Sequence, residues 1–295
     1  MNSERKALLL YSAAVLLTTI AAVTCFRLLH ITDNWAANAL MFVPGAFAAI
    51  FLARSTDGFR SVGWGLGKLS DWGLAMLLPL LVLAASLSIS IWLGYSAFAP
   101  TSPTVRGLEA HPLKLALKMA IYLAISIPFA FGEELGWRGF AQPRLIRQFG
   151  LVKGLFLLGL FWGFWHTPIY YAMGVFPKHP IAGPFVMTPI DNILAVVPMA
   201  WFYIRSRNIW LPTFLHAFAD ILWGFSDLLW PKSHEVQAWA VLQAAQLVLS
   251  IVLLIDLRRR EVQEAKSDSR PSGSRVNTVG DLGGSAFVSH QLLGK

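Results

Sequence analysis

Three short constellations carry the side chains able to do acid–base work. The first is Phe131-Gly-Glu-Glu-Leu-Gly-Trp-Arg-Gly-Phe140, with adjacent carboxylates at Glu133 and Glu134 and the guanidinium of Arg138 four residues after the second. The second is Trp162-Gly-Phe-Trp-His166, and the third is His216-Ala-Phe-Ala-Asp220. All three lie in or at the end of long apolar runs. A carboxylate near hydrocarbon is expensive, ~2.5–3.5 kcal/mol for an Asp at mid-bilayer on insertion scales, and intramembrane ionisable groups mark functional sites by default. Two side by side, in a chain so sparing with charge, need a chemical reason.

Spacing suggests a division of labour. Residues four apart share a helical face. Arg138 is therefore expected to pair with Glu134 and hold it ionised, while Glu133, about 100° further round the helix, stays free to take a proton from water. His216 and Asp220 likewise share a face. Each group alone has a plainer reading. Glu134 with Arg138 suits a structural ion pair, and His166 or His216 alone suits a hydrogen-bonded core histidine. The aromatics Phe161, Trp162, Phe164 and Trp165 suit packing, and Trp137 and Trp210 suit an interfacial belt. Asp227 reads as a solvated or capping residue. The combination on three separate apolar segments is harder to dismiss.

The elements that must position these groups follow from composition. The 295 residues are 56% hydrophobic and 14% charged, with a mean hydropathy of +0.56. A soluble domain is about 25% charged, so an ordinary soluble globular protein is excluded and an all-α, polytopic membrane bundle is expected. One cysteine, Cys25, excludes an intrachain disulfide or a cysteine-based zinc cluster. The net charge of +8 does not point to nucleic acid, because the charges sit between apolar runs and in the tail.

Eight apolar runs are long enough to be read as spans, at about 7–26, 35–53, 72–95, 113–134, 155–173, 191–204, 209–230 and 236–255, the sixth being short. The first starts after Arg5 and Lys6 and reads as an uncleaved helix rather than a signal peptide. With the N-terminus inside, the cytoplasmic side gathers Arg5, Lys6, Arg54, Arg60, Lys68, Arg138, Arg144, Arg147, Lys153, Arg205 and Arg207. The outer side gathers only Arg27, Arg106, Lys114, Lys178 and Lys232. This bias puts both termini in the cytoplasm, as an even number of spans requires. Lys118 is expected to snorkel. Asn208 is expected to cap the seventh helix, with Pro212 tolerated in its first turn. Pro168 is expected to kink the fifth. Residues 1–260 thus form one helical domain with a motif-bearing core at about 113–225. After the Arg258–Arg260 cluster, residues 261–295 read as a disordered polar cytoplasmic tail.

The motifs EExxxR, aromatic-xxxH and HxxxD, in that order, resemble the CPBP family, the CAAX-protease and bacteriocin-processing group also called Abi. They cover about residues 113–225. The resemblance implies an intramembrane endopeptidase in which Glu133, Glu134, Arg138, His166, His216 and Asp220 form the catalytic set. It implies a peptide or protein substrate, lipidated in some members, and an integral membrane location, here the bacterial inner membrane, with lipid and no nucleic acid as partner. Asp220 stands where the better-studied members carry Asn. An ionised aspartate cannot donate to an oxyanion as an amide can, so protonation, orientation of His216 and metal binding all stay open for it. Cofactor use is also open. In one version Glu133 and His166 activate water without metal. In the other, zinc sits among Glu133, His166, His216 and Asp220, although HExxH is absent. The site is expected near the cytoplasmic leaflet. The competing readings are a non-catalytic Abi-type immunity or scaffold protein and a proton-coupled transporter.

Overall fold

A computed structural model describes residues 3–31, 33–56, 58–99 and 111–268. Arg106 and the part of the tail beyond Asp268 lie outside these residues. The described chain is helical, with one isolated antiparallel bridge between Ser96 and Lys232. The helices are α1 (Ser3–Leu28), α2 (Asn34–Ala39), α3 (Phe42–Ala53), α4 (Leu69–Trp92), α5 (Pro112–Gly136), α6 (Gln142–Phe149), α7 (Leu151–Met173), α8 (Thr188–Ser206), α9 (Trp210–Leu229) and α10 (Glu235–Asp268). Wide π turns at Trp137–Ala141 and Gly183–Met187 join α5 to α6 and lead into α8.

Every apolar run has become helix, and six described helical stretches are long and apolar enough to cross a membrane. Six such stretches in one chain are what a polytopic membrane bundle requires. The helices that carry the histidines, α7 and α9, are not among the six. His, Asp, Pro, Gly and Trp take the place of aliphatic residues there.

The outer helices turn their smallest and most polar residues inward. The buried face of α4 is Asp71, Ala75, Pro79, Val82, Ser86 and Ser90, while Leu77, Leu80, Leu81 and Ile89 are exposed. In α1 the residues at four-residue spacing, Tyr11, Val15, Thr19 and Val23, are buried, and Leu9, Leu10 and Leu17 are exposed. Lipid is as apolar as leucine, so association between membrane helices rests on close packing and hydrogen bonds rather than on hiding aliphatic surface. Both occur here. Trp165 Nε1 donates to Thr19 Oγ1 at 2.8 Å, Trp201 Nε1 to Asp256 Oδ2 at 2.8 Å and Ser250 Oγ to the Leu194 carbonyl at 3.1 Å.

Glycine is what permits the closest helix crossings. A Cβ on Gly45 of α3 would lie 2.3 Å from the Gly132 carbonyl oxygen of α5, and one on Gly163 of α7 would lie 2.5 Å from Pro189 Cα in the first turn of α8. The first crossing clamps α5 one residue before Glu133.

Three expectations need correction. The glutamate pair does not end a helix: α5 passes through the π turn into α6 and reaches Phe149. Arg138 is therefore not a loop charge but a fully buried one, and Arg144 is buried as well. The second apolar run is broken at Leu40 and Met41 into α2 and α3. The α10 helix continues to Asp268, eight residues into the segment read as tail.

Candidate active site

The helix running down from Pro112 and the helix running back up from Leu151 form an antiparallel pair about Gly150. Gly150 has φ +76°, a conformation that glycine adopts at little cost. Glu133 is 16 residues before Phe149 and His166 is 15 after Leu151. At 1.5 Å per residue both stand roughly 22–24 Å from the turn. The continuation of α5 into α6 is what brings them to one level. A fourth helix ending at the glutamates would have left His166 deeper than Glu133.

Glu133, buried to 1% exposure, is held through one oxygen. Its Oε2 accepts from Trp137 Nε1 at 3.0 Å and from Trp162 Nε1 at 2.6 Å. Its Oε1 faces His166 Nε2 at 4.0 Å. The Nδ1 of His166 lies 3.0 Å from the Trp162 carbonyl. A carbonyl only accepts, so Nδ1 donates, and in the neutral ring Nε2 carries the free lone pair. The ring is packed between Trp165, at 4.7 Å between centroids, and Tyr170, stacked at 5.0 Å.

Glu134 is fully buried and takes the expected partner: Arg138 Nη1 donates to its Oε1 at 2.7 Å. His216 Nδ1 reaches the same oxygen at 2.9 Å, bringing α9 to α5. The other nitrogen, Nε2, faces Asp220 Oδ2 at 3.4 Å, and the Asp220 side chain is 55% exposed. His216 is thus strung between two carboxylates. Arg138 lies over the Trp162 ring at 4.6 Å, so that indole touches both halves of the site. Truncating one partner of a buried ion pair costs about 3–5 kcal/mol, because the other charge is stranded. Here the pair is reinforced by a histidine and an aromatic face. Glu134 Oε2, Arg138 Nε and Tyr11 Oη are buried without a hydrogen-bond partner, which leaves polar capacity around the cluster.

The structure therefore brings Glu133, Glu134, Arg138, His166, His216 and Asp220 together from α5, its π turn, α7 and α9. Asn208 Oδ1 accepts from the Trp210 and Leu211 amides at 2.7 and 3.2 Å, the expected cap that starts α9 six residues before His216. Asp227 is exposed and paired with Lys232. Pro168 sits within an unbroken α7. Two site residues escape a reading by type. Trp137 is not an interfacial anchor but is fully buried against Glu133, and Trp162 is a donor as well as a packing residue. Their one signal is position: Trp137 follows Glu133 by one helical turn, and Trp162 precedes His166 by one.

The donor side chains are not arranged as a zinc centre. Zinc needs ligand atoms at about 2.0–2.2 Å converging from three or four side chains. Glu133 Oε2 is taken by two indoles and His216 Nδ1 by Glu134. Among the described residues no group of three or more His, Cys, Asp or Glu side chains is arranged to hold an ion.

Residues 115–222 match the family model described as type II CAAX prenyl endopeptidase Rce1-like. The chain is also 30% identical over 80 residues to a protein named CAAX prenyl protease 2 from Methanococcus maripaludis. That match covers 26% of this chain and 29% of the relative. Both π turns, the glutamate pair and both histidine motifs fall inside the matched segment. Across the residues that build the site, the resemblance to the CAAX-protease family is therefore shown.

Proposed function

We propose that the chain is an intramembrane endopeptidase that hydrolyses a peptide bond near the C-terminus of a lipidated protein, using Glu133 and His166 to activate water. One observation carries this reading. Glu133 Oε1 and His166 Nε2 face each other across 4.0 Å, while the remaining polar atom of each is tied down by a tryptophan. That gap is too long for a direct hydrogen bond and is the span a single water bridges. Glu133 takes the proton as the water oxygen attacks the carbonyl carbon. The same carboxyl then delivers it to the departing amide nitrogen as the C–N bond breaks. His166 Nε2 orients the water. His216 acts here as the imidazolium: its Nδ1–H donates to Glu134, its Nε2–H is the donor for the oxyanion, and Asp220 borders that nitrogen from the exposed side. Arg138 keeps Glu134 in place as an acceptor. No step runs through a metal.

The substrate class rests on the match to a prenyl protease, and the location toward the cytoplasmic leaflet rests on the excess of basic residues assigned to that side. The test is cleavage of a prenylated reporter peptide by the full-length protein in liposomes. Glu133→Gln should lower kcat by about 10²–10⁴-fold, the typical share of a general base, with its thermal unfolding unchanged. Wild-type rates should survive dialysis against chelator, with no stoichiometric metal by mass spectrometry. Wild-type cleavage by the Glu133→Gln protein overturns the assignment of the base, and loss of activity on chelation overturns the metal-free mechanism.

A further inference from the structure

A cavity lies apart from the acid–base cluster, at the end of the bundle where α1 and α7 finish. It encloses about 350 Å³ between α1, α2 and α7. Its apolar wall includes Val23, Phe26, Ile31, Leu40 and Met173, and its charged edge is Arg27 with His30 beside it. We propose that this cavity binds the anionic headgroup of a membrane phospholipid, with the phosphate on Arg27 and His30 and the start of an acyl chain along Phe26, Ile31 and Leu40. The proposal is independent of the peptidase reading.

The local backbone is built to make this mouth. The α1 helix ends in a Schellman turn, in which the Ile31 amide donates to the Phe26 carbonyl at 2.8 Å. His30 occupies the left-handed position with φ +56°, where glycine is the residue of least strain. That conformation folds Ile31 back beside Phe26. On the opposite side, α7 stops at Gly174, with φ +64°, directly after Met173. The Asp33 side chain is engaged in capping α2 through the Trp35 amide at 2.8 Å. Among the described residues no carboxylate is paired with Arg27, whose guanidinium lies over the Tyr171 ring at 5.9 Å.

Three features narrow the ligand. A cation at the mouth selects an anion, and a guanidinium pairs with phosphate oxygens through charge-assisted hydrogen bonds. The apolar wall gives no partner to a small hydrated anion but suits a hydrocarbon chain. The place is the end of a 26-residue apolar helix, where the headgroups of a bilayer lie.

The test uses the full-length protein purified from nanodiscs containing phosphatidylcholine with a minority of phosphatidylglycerol, with retained lipid counted by native mass spectrometry. Wild type should keep phosphatidylglycerol in preference to phosphatidylcholine. Arg27→Gln should lower that retention about fivefold, the equivalent of one lost basic residue near a membrane surface, and Arg27→Lys should restore most of it. Leu40→Trp, which fills the cavity while keeping both polar side chains, should expel the lipid as well, so a failure of Arg27→Gln to fold leaves the question decidable. Equal retention in wild type, Arg27→Gln and Leu40→Trp overturns the proposal. Protection of wild type against thermal unfolding by inorganic phosphate, as large as that by the lipid, overturns it too, because the chain contacts would then contribute nothing.

Discussion

The two halves of the continuous helix that runs from α5 into α6 solve opposite problems. From Pro112 to Phe129 no residue is buried, and Leu113, Leu117, Ile121 and Ile125 face outward. From Gly132 to Gln142 every residue is buried, and four of them are Glu133, Glu134, Arg138 and Gln142. The aliphatic half meets lipid and the charged half meets protein. In water the assignment would be reversed. Hydrocarbon outside the bundle removes the drive to hide leucine, and the same hydrocarbon makes an unpartnered charge intolerable, so the polar residues collect where other helices supply partners. The lesson extends to α7 and α9, which fall short as spans by composition and yet carry the most chemistry.

The contrast is tested most severely at Arg138. Arg138→Met removes the cation from a buried pair and leaves His216 as the partner of Glu134. The expected cost is about 3–5 kcal/mol in unfolding free energy, read by reversible denaturation in mixed micelles. Replacing Glu134 by Gln in the same chain should return part of it, because no charge is then stranded. If Arg138→Met unfolds like wild type, the buried half is wetter than its geometry indicates and the two halves are not so different.

Much of this site was legible before any coordinates. Ionisable residues are rare in apolar segments, so Glu133, Glu134, Arg138, His166, His216 and Asp220 stand out, and the four-residue spacing correctly pairs Glu134 with Arg138. The tryptophans were not legible in the same way. An indole in an apolar run has the same signature whether it anchors at an interface or donates to a buried carboxylate, and the partner that decides, for Trp162, is 29 residues away. The end of α5 was misplaced for a related reason. Two glutamates and an arginine depress local hydropathy and imitate a helix boundary, although they satisfy one another inside the bundle. The π turn at Trp137 leaves no trace in composition.

A smaller effect separates the donor role of Trp162 from its bulk. Trp162→Phe keeps a ring beneath Arg138 and deletes the N–H that lies 2.6 Å from Glu133 Oε2. One lost bond to a buried carboxylate costs about 1–3 kcal/mol. Because Trp137 still holds the same oxygen, that loss should appear as a lower kcat with KM unchanged, rather than as failure to fold. An unchanged kcat would reduce Trp162 to packing, the role its residue type suggests.

The smallest effect belongs to the lipid-facing half. Leu117 is 60% exposed. In a bilayer its side chain touches hydrocarbon whether or not the bundle is assembled, so Leu117→Ala gains and loses almost nothing on folding. The expected change is within about 0.5 kcal/mol, as for substitutions away from packed contacts, whereas a packed leucine truncated to alanine costs about 2–5 kcal/mol. The measurement must be made in lipid and repeated in detergent. A cost above about 1 kcal/mol, in the range of lost packing, would mean that this face of α5 packs on protein in the membrane. A second chain or a bound substrate would then complete the bundle there, and the outward leucines would belong to an interface rather than to the bilayer.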